Sequence, residues 1–111
     1  MANYSTDLDR TFAALADPTR REIVGLLCDG PKSVSELSQP FDIALPSLLK
    51  HVRVLEQSGL ISSRKTGRVR TCRIEPQVLE ATKAWLHDHI AAWERRLDRM
   101  ERHIEQMKRK N

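Results

Sequence analysis

Two groups of side chains in this sequence are typed and spaced for contact with a polyanion. Residues 45–53 read Leu-Pro-Ser-Leu-Leu-Lys-His-Val-Arg, and a helix through them presents Ser47, Lys50, His51 and Arg53 outward. A few residues later Arg64, Lys65, Arg68, Arg70 and Arg73 gather around Gly67. Hydroxyl and imidazole groups at helical spacing can bond base edges, and a lysine can reach a guanine edge or a phosphate. Guanidinium groups neutralise phosphates whatever the sequence. Residues 45–74 carry seven basic side chains against one acidic, a local +6, although the whole 111-residue chain is only +4. Such concentration is the footprint of a phosphate-facing surface. A solvated basic hairpin without a partner is the bland alternative.

Other chemistry is sparse. Cys28 and Cys72 are too few and too far apart for a disulfide framework or a CxxC metal knuckle. Cys28 is expected among apolar neighbours at a helix end. Cys72 is expected on the inward face of a strand with Arg70 and Arg73 facing away, so both thiols read as structural rather than redox-active. There is no nucleophile elbow, phosphate loop or metal triad, and with four glycines no Gly-rich cradle. An enzyme is therefore the weakest candidate, and no cofactor is expected. No run of 18 apolar residues exists, and Met1–Arg10 lacks a basic-then-apolar signal, so a cytoplasmic protein without membrane contact is expected.

The elements that must position these groups follow from capping and periodicity. Thr6 with Asp9 can open a first helix whose buried stripe is Leu8, Phe12 and Leu15. Asp17-Pro18 caps and starts a second helix, which buries Ile23, Leu26 and Leu27 and ends near Gly30. Ser33 and Glu36 form a capping box opening a short third helix with Val34 and Leu37 inward, closed by Pro40. A fourth helix begins near Pro46, buries Leu48, Val52 and Leu55, and stops at Gly59, where a left-handed cap is needed. Residues 60–65 and 69–74 read as strands flanking Thr66-Gly67-Arg68, a hairpin that must lean on the helices because two strands alone are marginal. The fold class is thus mainly α with a small β-hairpin, a winged helix-turn-helix.

The C-terminal third has a second pattern. Leu86, Ile90, Trp93, Leu97, Met100, Ile104 and Met107 are separated alternately by four and three residues, and the alternation continues back through Lys83 to Leu79. This is a heptad seam. A domain of this size cannot bury so long a stripe alone, so pairing with the same helix of a second subunit is expected. A tail folded back on its own domain is the alternative. The division expected is a DNA-binding domain over residues 1–75 and a coiled-coil-like dimerisation helix over 76–111.

The run Phe-Ala-Ala-Leu-Ala-Asp-Pro-Thr-Arg-Arg-Glu-Ile-Val-Gly-Leu-Leu at 12–27, the Lys-His-Val-Arg-Val-Leu-Glu-Gln-Ser-Gly-Leu-Ile segment at 50–61 and the Thr-Gly-Arg turn resemble the ArsR/SmtB family of small bacterial repressors. The resemblance runs from about residue 8 to residue 80. It implies a homodimer built from the first and last helices, with Leu8 and Phe12 joining the seam residues. It also implies operator DNA bound by the fourth helix and the wing, and an inducing signal that lowers DNA affinity. The family's metal positions are not filled here. Ser33 and Ser35 stand where its arsenic sensors carry Cys-x-Cys, and serine hydroxyls are poor ligands for soft metals. Pro76, Val78, His89 and Ala92 match the zinc-type site and retain one imidazole. A shifted frame over His87, His89, Met100 and His103 ignores where the helix begins and borrows a seam residue. No metal site is expected.

In a helix-turn-helix the N-terminal part of the second helix enters the major groove, which makes residues 45–51, Leu45 and Pro46 included, the base-reading window. Arg53 lies a turn further, towards the backbone. The family commonly has serines where this chain has Ala44 and Leu49. Ala44 removes a good N-cap, costing about 1 kcal/mol, and Leu49 either meets a thymine methyl or packs in the core. Arg68 at the wing tip suits a narrow minor groove, with Arg64, Lys65 and Arg70 on phosphates. The expected function is a sequence-specific, homodimeric repressor released by a non-metal signal. The alternative is a winged-helix module that uses its coiled coil to bind another protein.

Overall fold

The computed structural model describes residues 4–110. The chain runs α1 (Tyr4–Leu15), α2 (Pro18–Leu27), β1 (Lys32–Ser33), α3 (Val34–Ser38), α4 (Leu45–Gln57), β2 (Ile61–Thr66), β3 (Val69–Ile74) and α5 (Pro76–Arg109).

Local chemistry explains most of these boundaries. The Asp17 carboxylate accepts the Thr19 and Arg20 amides at 2.8 and 3.2 Å, with Pro18 opening α2. The Arg20 and Thr19 backbone bonds, aided by the nearby Arg20 charge, hold its pKa below the usual value. At α3 the capping box is complete. Ser33 Oγ accepts the Glu36 amide at 3.1 Å, and Glu36 Oε1 accepts the Ser33 amide at 3.0 Å. The Ser33 amide first, and then the Ser33 hydroxyl, lower the Glu36 pKa. Pro46 lies in the first turn of α4, whose N-cap Ala44 makes no side-chain bond. Gly59 ends the following turn at φ +81°.

The beginning of the chain differs from expectation. α1 starts at Tyr4, so Thr6 lies inside it rather than at its cap, and the Thr6–Asp9 box does not form the start. No proline or glycine before Thr6 stops the helix from reaching upstream. The inward face of α1 is also offset by one residue. Thr11 and Ala14 are buried while Phe12 is 38% exposed, and Leu8 and Leu15 are half-buried. Small side chains at 11 and 14 leave α1 close to its neighbours, and the phenyl ring turns outward.

Ala14, Ile23, Val24, Leu27, Leu37, Leu48, Val52, Leu55, Leu60, Ile61 and Cys72 make the core. Cys28 is exposed, contrary to the apolar setting expected of it. It caps the end of α2 one residue beyond buried Leu27 and has turned past the inward face.

The sheet has a third strand. β1 pairs antiparallel with β3 through Lys32↔Cys72 and Ser33↔Thr71, giving the order β1-β3-β2. Two residues cannot show a period of two, and β1 merges into the capping box of α3. The hairpin register runs from Ile61↔Ile74 to Thr66↔Val69, so the turn is Gly67-Arg68, with Gly67 at φ +62°.

Two compact units divide the chain, Met1–Leu79 and Glu80–Asn111. Leu79, expected at the head of the intersubunit seam, instead packs with Val78 against the first unit's own core. The second unit holds, among the described residues, no element but the continuation of α5. Among the described residues no helix is long and apolar enough to cross a membrane.

Candidate nucleic-acid interface

α4 is oriented by its apolar stripe. Leu48, Val52 and Leu55 are buried to 2% exposure or less. Helical spacing then turns Pro46, Lys50, Arg53 and Gln57 to the opposite side, and all four are exposed. Leu45 and Ser47 in the first turn are exposed as well. Leu49 is half-buried on the flank, between the two roles open to it. Gln57 escapes sequence reading because it lies past the groove-entering window. The spacing Pro46–Lys50–Arg53–Gln57 is its only signal.

His51 is more constrained than a free base reader. Its Nδ1 lies 3.3 Å from Arg20 Nη1. A guanidinium only donates, so Nδ1 is the acceptor and the ring proton is on Nε2. Arg20 also donates through Nε to the Ala14 carbonyl at 2.7 Å and through Nη2 to the Ala13 carbonyl at 3.2 Å. One side chain thus satisfies two of the C-terminal carbonyls of α1 and braces α4 through His51, while Arg21 Nη1 donates to the Leu15 carbonyl at 2.8 Å. In the sequence Arg20 stands only as part of the family-like Asp-Pro-Thr-Arg run; its contact with His51 spans 31 positions and is invisible there.

The five cations of the wing are all exposed but fall into two kinds. Among the described residues the side chains of Arg64, Lys65 and Arg68 make no hydrogen bond or ion pair. Arg68 occupies the two-residue turn itself. Arg70 and Arg73 are engaged. Arg70 Nη1 donates to Ser63 Oγ at 2.8 Å, and Ser63 Oγ donates to Glu56 Oε1 of α4 at 2.7 Å. On the other face Arg73 Nε donates to Ser62 Oγ at 3.3 Å and lies 3.6 Å from Glu75 Oε1, which also accepts the Ser62 hydroxyl. The Ser62 bond, then the Gln77 amide and Arg73, lower the Glu75 pKa.

The face of Arg70 differs from expectation. Arg70 and Cys72 are two residues apart on one strand and so share a side. Burial pushes the Cys72 thiol up, Glu56 adds to the rise and Arg70 opposes it. A buried thiol with a raised pKa is a packing residue, not a nucleophile.

The remaining candidate ligands are dispersed. No group of three or more His, Cys, Asp or Glu side chains among the described residues is placed to hold a metal ion. His89 stacks on Trp85 with ring centroids 4.0 Å apart, and its Nδ1 lies 2.8 Å from the Trp85 carbonyl. In α5 the seam residues Leu86, Ile90, Trp93, Leu97, Met100, Ile104 and Met107 are 38 to 58% exposed.

A helix-turn-helix whose second helix carries a polar outward stripe, followed by a cationic hairpin, defines the winged-helix class of regulators. Comparison with known proteins narrows the class. A family model described as a helix-turn-helix domain matches residues 15–64. The HTH-type transcriptional regulator Rv2034 of Mycobacterium tuberculosis is 36% identical over 83 residues, covering 75% of this chain and 77% of that protein. The transcriptional repressor SdpR of Bacillus subtilis is 30% identical over 83 residues, covering 75% and 92%. The crystal structure of the ArsR family transcriptional regulator RHA00566 superimposes with a TM-score of 0.78 at 53% identity, covering 85% of this chain and 97% of that one. The chain belongs to the ArsR family of winged helix-turn-helix transcriptional regulators.

Proposed function

We propose that this protein is a homodimeric repressor that binds operator DNA and is released by a signal other than a metal in the family's familiar sites. One observation carries the DNA reading. Lys50 and Arg53 on the outward face of α4, and Arg64, Lys65 and Arg68 on the wing, are exposed cations with no protein partner among the described residues. Leu45, Pro46, Ser47 and the Nε2–H of His51 complete the surface offered to base edges. A major groove about 12 Å wide admits such a helix. Repression is supported by the likeness to SdpR, which is named a repressor.

The dimer rests on α5. A seam repeating every 3.5 residues is the pattern by which one helix packs against another. Its seven apolar side chains are more than a third exposed in the single chain. A second copy covers them, and Phe12 with half-buried Leu8 adds the α1 contribution. Two reading heads on one dimer then match two half-sites on one duplex.

Fluorescence anisotropy with the DNA upstream of the chain's own gene, repeated over a range of salt, tests the reading. Binding that weakens steeply with salt is expected, because each neutralised phosphate adds about 0.9 to the log–log slope. Titrations that stay flat at low salt, with α5 still self-associating, would instead favour a protein-binding module.

A further inference from the structure

The bonds around Ser63 separate Arg70 from the other wing cations. We propose that Glu56, Ser63 and Arg70 form a latch that sets the angle of the wing on α4, with Arg70 a positioning residue rather than a phosphate ligand. The inference rests on the DNA-binding reading above and assigns parts within it.

Three elements contribute one group each. Glu56 lies in the last turn of α4 and Ser63 in the middle of β2, while Arg70 is the second residue of β3. The Ser63 hydroxyl has one proton, which it gives to Glu56 Oε1 at 2.7 Å, and lone pairs, one of which takes Arg70 Nη1 at 2.8 Å. Each bond has an ionised end, the stronger kind of hydrogen bond. The alternation of β2 places Ser63 and buried Ile61 on one side, so the hydroxyl is half-buried between helix and sheet. Cys72, directly across the ladder from Ser63, is fully buried beneath the same bonds. The latch therefore stands on a packed floor, whereas Arg64, Lys65 and Arg68 lie beyond it towards the tip.

Charge makes the same point. Glu56 is the one carboxylate among residues 45–74, which otherwise hold seven cations. On a surface meant for phosphates an acid weakens binding by simple repulsion. Its place is explained if it holds the wing where the free cations at the tip meet DNA.

The sign of the Glu56 effect tests this. Glu56→Ala and Glu56→Gln remove the same charge, but only glutamine keeps an oxygen that can accept the Ser63 hydroxyl. The latch predicts that Glu56→Ala weakens DNA binding roughly tenfold while Glu56→Gln stays within about threefold of wild type. Arg70→Ala should weaken binding to a similar degree with the salt slope unchanged, and combining it with Glu56→Ala should add little further loss. A phosphate ligand behaves differently: Arg70→Ala would lower the slope by about 0.9 per subunit. That drop, or tighter binding by both Glu56 variants, overturns the proposal. Urea melts run alongside, and if Glu56→Ala is unfolded under assay conditions, Ser63→Ala carries the same test by removing one hydroxyl. Arg68→Ala is the control for the underlying reading; if it too leaves affinity intact, DNA binding by the wing fails and not the latch.

Discussion

The two units of the chain treat their apolar residues in opposite ways. Between Ala14 and Cys72 most of the large aliphatic side chains converge on one core, where Ile23, Leu37, Leu48, Leu55 and Leu60 are fully buried, and Ile43, Leu45 and Val69 stay outside it. From Leu86 onward the same kinds of residue recur just as regularly, yet all seven seam positions remain exposed. A helix has a single apolar stripe and cannot fold onto itself, so its stripe needs another surface. Regularity of pattern is therefore no guide to burial within one chain. It identifies a face that needs covering, and the topology decides whether the cover is internal.

The sharpest way to break this contrast is to charge the seam. Leu97→Asp together with Ile104→Asp should convert a dimer to monomers at micromolar concentration. With paired heads lost, DNA affinity should fall on the order of 100-fold or more. Sedimentation reads the first effect and anisotropy the second. The urea transition of the N-terminal unit should stay in place. A dimer that survives both charges removes α5 from the interface.

The converse experiment strikes the internal core. Leu55→Ala leaves a cavity where side chains from α2, α4 and the sheet meet and should cost about 2–5 kcal/mol. It should appear as a lower urea midpoint with an unchanged slope. Seam truncations such as Met107→Ala should leave that midpoint alone.

Within the N-terminal unit the wing tip can be separated from its base. Arg68→Ala should weaken operator binding more than tenfold, about 1.4 kcal/mol, without altering the melt, because the side chain is exposed in a turn. Equal affinity for wild type and mutant at low salt would count heavily against insertion of the wing into a groove. Ala44→Ser works in the other direction: the residue already has the extended geometry of an N-cap, φ −66° and ψ 145°. Serine there should stabilise the protein by about 0.5–1 kcal/mol in thermal denaturation.

The smallest effect is acid sensitivity. Asp17, Glu36 and Glu75 have folded-state pKa values below their ordinary ones. Their contribution is thus complete above the ordinary carboxylate pKa near 4 and is lost as pH falls through the lowered folded values. Stability should drop on going from about pH 5 towards pH 2. Ser33→Ala, which removes the acceptor at the cap of α3, should flatten that drop slightly. A drop of the same steepness in Ser33→Ala would show that the Ser33 hydroxyl contributes nothing to it, the amide of residue 33 still being bonded to Glu36.

Much of the fold was legible because its signals are local. Asp17-Pro18, Ser33 with Glu36, and Gly59 each act within four residues, and each marks a boundary seen in the structure. The stripe of Leu48, Val52 and Leu55 likewise oriented α4 correctly and with it Lys50 and Arg53. The failures have local causes too. β1 is shorter than the period that would reveal it. In α1 a leucine-phenylalanine spacing outranked small Thr11 and Ala14, which are what the core accepts. Cys28 and Leu79 fall at helix boundaries, where one residue decides which side a chain faces.

The candidate site divides along the same line. Type and spacing alone established which residues are cationic, that they cluster within 45–74, and that an apolar seam runs along the last helix, because charge and periodicity are properties of neighbours in sequence. Only the tertiary structure decided that His51 leans on Arg20, that Arg70 reaches Glu56 through Ser63, and that the side chains of Arg64, Lys65 and Arg68 have no partner among the described residues. Hydrogen bonds depend on distances of a few tenths of an ångström between groups seven or thirty-one residues apart, and only the packed core brings such groups within reach.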